Sequence, residues 1–265
     1  MKKIHYFILI SIFISLVVSQ ENEPPIQLIS IPTAGTLAQG TWKLDLHLQK
    51  DGGVLSSLLI GMTPNFSIGL SYGVGKLIGN KEPLLNKTIP EVQIKYRVLE
   101  ETVLYPALVI GLNTQGMGGF SDSTYIFKDK IIDSTLVSRY DFKAHGFYAI
   151  LSKNWNFLGN LGFHIGTSLN TWEGVEKERI PNILVGIDKD LNNSFTLLAD
   201  YNFATNDQNN PFFDLNDEWP GFLNTGLRWS ISDNLQVELC INQMRRNQKF
   251  YEMNREFKIL YKQYF

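Results

Sequence analysis

The chain has 265 residues and a formal net charge of −2, with 24 lysines and arginines spread among 26 acidic side chains and one cysteine, Cys240. That balance supplies neither the basic footprint that nucleic acid requires nor a strong field of either sign, and a single thiol forms no intrachain disulfide. Nucleic-acid binding and a small disulfide-stapled scaffold are therefore excluded.

Met1-Lys2-Lys3 precedes an apolar run from about Tyr6 to Val18, which gives way to Ser19-Gln20 and the polar Glu21-Asn22-Glu23-Pro24-Pro25. A charged n-region, an h-region over Phe7 to Val18 and short residues at Val17-Val18-Ser19 read as a secretory signal peptide spanning 1–19. The run falls short of the ~20 residues a membrane-spanning helix needs. With no cysteine near the cleavage site, no lipid anchor is expected there. Removal leaves about 245 residues, enough for one large domain or two small ones. Nothing beyond the signal peptide is apolar enough for a spanning helix, so a mature chain in a membrane must cross it as a barrel.

Thr41 to Leu48 sets Trp42, Leu44, Leu46 and Leu48 against Lys43, Asp45 and His47, a period-two strand. A turn at Gln49 to Gly53 leads to a second strand, Val54 to Met62, and Thr63-Pro64-Asn65 makes a tight turn. Phe66, Ile68, Leu70 and Tyr72 then alternate with Ser67, Gly69, Ser71 and Gly73, small residues suited to the inner face of a tightly curved wall. After a loop from Val74 to Pro90, Val92, Ile94, Tyr96 and Val98 alternate with Gln93, Lys95 and Arg97. Leu104 to Leu112 reads as an almost wholly apolar strand, with Pro106 expected at its end or at a bulge because proline forfeits a ladder bond. Asn113 to His145 is the longest irregular stretch, with β-prone residues for a small hairpin at Tyr125 to Phe127 and Thr135 to Tyr140.

Gly146 to Ser152 and Phe157 to Leu169 pair around a predicted turn at Lys153 to Asn156. Phe163 and Ile165 face one way; Gly162, His164 and Ser168 face the other. Ile183, Val185 and Ile187 oppose Gly186 and Asp188, and Phe195, Leu197, Ala199 and Tyr201 oppose Thr196 and Asp200. Leu223, Leu227 and Trp229 oppose Asn224 and Arg228, and Leu235, Val237, Leu239 and Ile241 oppose Glu238, Cys240 and Asn242. The last strand sets Phe257, Ile259, Tyr261 and the terminal Phe265 against Glu256, Lys258 and Lys262.

This makes about twelve strands of roughly eight to eleven residues, the length a tilted strand needs to cross a bilayer. Tight turns alternate with longer links, and only Gln49 to Gly53 is short where a long link is expected. The rhythm predicts an all-β fold, a transmembrane antiparallel up-and-down β-barrel over 41–265, with its short turns and both ends on the periplasmic side. Residues 20–40 are expected as a periplasmic N-terminal segment. Tyr72, Tyr96, Trp155, Phe157, Tyr201, Phe203, Trp229 and Phe265 would form interfacial girdles. A secreted β-sandwich would alternate in the same way but predicts no such rhythm of links.

The ending Phe257, Ile259, Tyr261 and Phe265 resembles the closing strand of bacterial outer-membrane barrels, which implies a membrane-insertion signal read by the barrel-assembly machinery. Gln263 departs from that pattern. Ile31-Pro32-Thr33-Ala34-Gly35-Thr36-Leu37, Gln93-Ile94-Lys95-Tyr96-Arg97, Gly111-Leu112-Asn113-Thr114-Gln115-Gly116-Met117-Gly118, Leu151-Ser152-Lys153 with Gly159-Asn160-Leu161-Gly162, and Gly186-Ile187-Asp188-Lys189-Asp190-Leu191 are similar to one uncharacterised group of bacterial outer-membrane barrels. The Ile-Pro-Thr-Ala segment is more loosely similar to the YjbH-like barrels associated with exopolysaccharide export. The resemblance implies the outer membrane of a Gram-negative-type bacterium, lipid as the surrounding partner, and small polar solutes or a periplasmic envelope protein as others.

Inward positions of such a barrel include Lys95, Arg97, His164, Asp188, Asp200, Arg228, Glu238, Glu256 and Lys258, the candidate lumen lining. Paired, these charges fill a lumen; unpaired, they set the selectivity of a constriction. If Lys153 to Asn156 is a four-residue turn, His145 lies opposite His164, but no third ligand is identifiable and no metal or other cofactor is expected. A hydrolase of the outer-membrane phospholipase type would need Ser and His together on the lipid-facing wall. No such pair is found, so the expectation is a narrow passive channel or transport-associated barrel rather than an enzyme. The alternative is a plugged structural or accessory barrel linked to polysaccharide export.

Overall fold

The computed structural model describes residues 24–79, 84–85, 89–128, 131–173, 180–207, 221–243 and 254–265. The expected signal peptide, residues 1–19, lies outside them. Fifteen strands follow one another: β1 (Thr41–Leu48), β2 (Val54–Thr63), β3 (Phe66–Gly75), β4 (Leu84–Leu85), β5 (Glu91–Leu99), β6 (Ala107–Asn113), β7 (Met117–Lys128), β8 (Ile131–Phe142), β9 (Gly146–Asn156), β10 (Asn160–Leu169), β11 (Asn182–Asp190), β12 (Phe195–Asn202), β13 (Phe222–Ser230), β14 (Leu235–Asn242) and β15 (Asn254–Tyr264). Among the described residues the only helical element is one 3₁₀ turn at Lys50–Gly52.

Twelve strands pair antiparallel with their neighbours along the chain, and β1 pairs with β15 to close the ring. The two-residue β4 leans on the end of β3, and β7 and β8 form a separate hairpin in the link between β6 and β9. The seam runs from Thr41 opposite Tyr264 to Leu48 opposite Phe257, so β1 pairs along its full length and β15 from Phe257 to Tyr264. The start of β1 and the end of β15 share one rim, here called the terminal end; the longer links crowd the other, the loop end.

Local chemistry sets the terminal-end turns. Asn192 accepts the backbone N–H groups of Ser194 and Phe195 through its side-chain oxygen, and the Ser232 hydroxyl accepts that of Leu235, the side-chain mimicry that favours Asn and Ser in turns. Between β9 and β10 the turn falls at Phe157 to Gly159, where Leu158 and Gly159 both take positive φ. The predicted turn at Lys153 to Asn156 is therefore displaced, and β9 runs four residues further. Gly159 tolerates the left-handed conformation without steric cost, a stronger local signal than the polar Lys-Asn-Trp-Asn run. Pro106 stands immediately before β6, so the strand starts at Ala107 instead of Leu104, and Val103, Leu104 and Tyr105 are exposed in the turn.

The exterior of the wall is apolar. Phe163, Ile165, Ile183, Leu197, Leu239 and Ile241 are all exposed, while their neighbours along each strand are turned inward. Aromatic side chains gather at both rims. Trp42 with Tyr261, Phe195 with Trp229, and Trp155 with Phe163 pair toward the terminal end; Phe147 with Trp172, and Tyr201 with Phe203, pair toward the loop end. At the loop end Arg139 of β8 is fully buried, its guanidinium forked onto both carboxylate oxygens of Asp207 at 2.7 and 2.9 Å. Burial pushes the Tyr140 phenol up, and Glu91, which accepts its hydrogen bond at 3.1 Å, pushes it further. These contacts tie β8 to the start of β5 and to the link after β12.

Candidate functional site

The lumen is occupied by the chain itself. Residues Pro24 to Leu37, expected as part of a segment outside the barrel, run up into it from the terminal end, reverse near Ile29 and Ser30, and return to start β1. Leu28 N–H donates to the Ile31 carbonyl and Thr33 N–H to that of Ile26, which makes a small reverse turn. Gly35 permits the crossing of its two arms, since a Cβ there would sit 2.4 Å from the Pro25 carbonyl oxygen. The reason for the placement is apolar burial: Leu28, Ile29, Ile31 and Ala34 are enclosed with Val109, Ile150, Leu184 and Leu198, inward-facing apolar side chains of β6, β9, β11 and β12. Gly186 and Gly226 make room, for a Cβ at either would press on Leu28 or Ile29.

The backbone groups of a loop buried against the wall must each find a partner. The inward charges supply them. Lys95 Nζ donates to the carbonyls of Ile26, Thr33 and Gly35 at 2.6, 3.1 and 3.1 Å. Arg228 donates to the Gln27 carbonyl at 3.0 Å while forking onto Glu238, and Lys258 donates to the Ile29 carbonyl at 2.7 Å with Glu238 3.7 Å away. Asp200 accepts Ser30 N–H and Oγ–H at 2.7 and 2.8 Å and Asn224 Nδ2–H at 2.8 Å. His145, beside β9, contacts the Ser30 carbonyl through Nε2 at 2.9 Å, and burial holds its imidazole below the ordinary histidine value.

A further chain of hydrogen bonds links the insert to β9, β10 and β11. Ala34 N–H donates to Ser152 Oγ at 2.8 Å, Ser152 Oγ lies 2.7 Å from His164 Nδ1, and His164 Nε2 lies 2.7 Å from Asp188 Oδ1. With the Nε2 proton directed to Asp188, Nδ1 accepts from the Ser152 hydroxyl, whose own lone pair accepts Ala34 N–H. Serine, imidazole and carboxylate are thus in line, as in an acyl-transfer triad. All three are buried, and the insert's backbone occupies the approach to the hydroxyl. In this arrangement the relay anchors the insert.

The expected lining residues separate accordingly. Lys95, Asp200, Arg228, Glu238, Lys258, His164 and Asp188 surround the insert. Arg97 instead lies at the terminal rim, bound to Asn65 and to the Pro64 carbonyl, and Glu256 lies toward the loop end against His47 at 2.6 Å and Asn242. Phe257, Ile259 and Tyr261 lie on β15 beside the seam, and Phe265 follows at the rim with its N–H on the Gly40 carbonyl. The expected opposition of His145 and His164 does not occur, because the displaced turn pairs His164 with Ser152 instead. Among the described residues no group of three metal-ligating side chains comes together.

The insert was missed because its residues alternate poorly and precede the first clear strand. A signal was present: Leu104 to Leu112 and Ile183 to Ile187 are apolar on both faces, and a water-filled lumen gives inward Val109 or Leu184 nothing to bury against.

No protein-family model matches the chain, and no curated protein matches it. Solved structures similar to it include a NanC porin at 9% identity, covering 84% of this chain and 99% of that one with a TM-score of 0.42. The outer membrane protein Omp33 of Acinetobacter baumannii is 8% identical over 86% of this chain and 98% of its own, with a TM-score of 0.44. The outer membrane channel DcaP of the same organism is 10% identical over 85% and 95%, with a TM-score of 0.30.

Proposed function

We propose that the chain is an outer-membrane β-barrel of the bacterial envelope, a small-solute channel whose bore is set by its own N-terminal segment acting as a plug. A closed ring with an apolar exterior and aromatic rims suits a bilayer, since every backbone group is satisfied without water. The observation that carries the channel reading is the docking of the Ile26 to Gly35 backbone on wall side chains, Lys95, Arg228, Lys258 and Asp200, rather than on a covalent continuation of the wall. Such a contact set can be broken and remade while the ring stays closed. In this reading lipid covers the exterior, Phe257, Ile259, Tyr261 and Phe265 serve the assembly machinery, and the terminal end faces the periplasm. The test is refolding into detergent, heat-dependent gel migration to establish the folded form, and planar-bilayer recording of the mature chain with and without residues 24–38. Removal of the plug should raise unit conductance manyfold; a folded but silent plugless barrel would overturn the channel reading.

The second reading, an accessory barrel linked to polysaccharide export, is favoured by one observation: the plug reaches the terminal end, where a periplasmic partner could hold its first residues. Substituting Pro24 and Pro25 would then abolish co-purification of such a partner, and unchanged co-purification would remove this alternative.

A further inference from the structure

The plug is not centred. Its apolar face packs against β6, β9, β11, β12 and β14, through Val109, Ile150, Leu184, Leu198 and Cys240. The opposite wall, β1, β2 and β5, turns Lys43, Asp45, Ser57 and Gln93 toward it, and three cavities follow one another along that side. A cavity of about 60 Å³ lies toward the loop end; a second, of about 50 Å³, shares Gln27, Asp45, Ser57 and Gln93 with it. The second shares Ile26 and Lys43 with a vestibule of about 440 Å³ open at the terminal end between the Asn193 and Asp233 turns.

The charges along this side are unevenly spent. Lys43 stands directly across the seam from Lys262, a like-charge pairing that a wall dry on both sides would disfavour. Lys43 has no hydrogen-bond or ion-pair partner among the described residues, and Lys95 donates only to neutral carbonyls. Arg228 and Lys258 share the single carboxylate of Glu238. Against them the vestibule and the second cavity set Asp233 and Asp45, and Asp45 Oδ1 is buried with no hydrogen-bond partner among the described residues. By formal charge the terminal half of the path carries an excess of cations, with Lys43 lining both the vestibule and the second cavity and Asp45 one inward position deeper. A cation ring at a constriction favours anions, and its strength grows as water is excluded.

We propose that, with the plug seated, the barrel passes small monovalent anions along the β1, β2 and β5 side of the lumen, with Lys43 drawing them in at the terminal mouth and Asp45 limiting their passage. This rests on the channel reading above and names the solute class of that same lumen. Gln27 and Gln93 line both inner cavities and Lys43 lines both the second cavity and the vestibule, so passage requires these flexible side chains to move.

The test is the reversal potential of the mature chain in a planar bilayer under a potassium chloride gradient. Small unit steps with a chloride preference are expected. Lys43→Gln should reduce that preference and Asp45→Asn increase it, with heat-dependent migration confirming that each variant folds; Lys262→Gln reports on the same mouth if Lys43→Gln does not fold. Ala34→Cys with Ser152→Cys, in a Cys240→Ala background, allows the plug to be locked, and oxidation should leave the current of that variant unchanged. A cation preference, or indifference to all three charge changes, would overturn the assignment. Loss of current on oxidation would show that passage requires plug withdrawal and would overturn it too. An intact barrel that is silent while the plugless one conducts removes the side path and leaves the channel reading standing; silence of both removes the channel reading itself.

Discussion

Asp200 holds Ser30 twice, accepting its backbone N–H at 2.7 Å and its hydroxyl at 2.8 Å, 170 residues apart in sequence. Replacing that carboxylate by an amide weakens two charge-assisted bonds at the apex of the plug, each worth about 1.5–3 kcal/mol. Asp200→Asn should lower the midpoint of heat-dependent gel migration and produce bursts of large conductance in bilayers. A variant as free of large openings and as heat-stable as the parent would show that the apex is held by apolar packing alone.

Gly186 offers a steric counterpart. A Cβ there would lie 2.3 Å from Leu28 Cδ1 and 2.9 Å from Ile31 Cδ1. Its strand is hydrogen-bonded on both sides, to β10 and β12, so the plug yields before the wall does. Gly186→Val should cost about 1–3 kcal/mol by overpacking and raise conductance, and adding Leu28→Ala should reverse much of the effect. Conductance unchanged by Gly186→Val would mean that the plug accommodates the side chain in place.

The forked ion pair of Arg139 with Asp207 is buried at the loop end. Arg139→Met removes the guanidinium from that carboxylate, which Lys143 also approaches at 3.7 Å, and breaking a buried pair from one side costs about 3–5 kcal/mol. The loss should appear as faster protease cleavage in the Asn113 to His145 link of the folded barrel, with the ring's heat stability little changed. Equal resistance to protease would show that the hairpin is held by its other contacts.

His145 sets a pH dependence. Burial depresses its folded-state value below 6.5, although the Ser30 carbonyl and Asp200 pull the other way. Below the unfolded value the unfolded chain binds the proton more readily, so stability falls as pH drops from about 6.5 into the acid range and is fully present above it. The heat-migration midpoint of the parent should decline between pH 7 and pH 5, and His145→Gln should decline less. Parallel curves would assign the pH response to other groups.

The wall was legible in the sequence because a strand's period of two is a local property. Phe163 and Ile165 outside with His164 inside, or Trp229 outside with Arg228 inside, follow from alternation alone. Turn positions were less secure, since the glycine that sets a hairpin competes with nearby polar residues, and the choice of Lys153 to Asn156 over Phe157 to Gly159 moved the β9–β10 register. The partners of the inward charges were not legible at all. Lys95 binds carbonyls 60 to 69 residues away, and carbonyls carry no sequence signal. Only the apolar inner faces of Val109 and Leu184 hinted that something dry lay within.

The plug leads into the ring through Ala38, Gln39 and Gly40, the last with φ of +74°. Three residues extend over roughly 10 Å at most, so a segment that leaves its seat cannot diffuse away; it hangs at the mouth it came from. Its local concentration there is that of a tethered ligand, in the millimolar range or above, and return is intramolecular. Weakening one contact then changes the fraction of time the lumen stands clear rather than leaving it permanently clear. Single-channel dwell times, more than averaged current, would carry the energetic record of each contact.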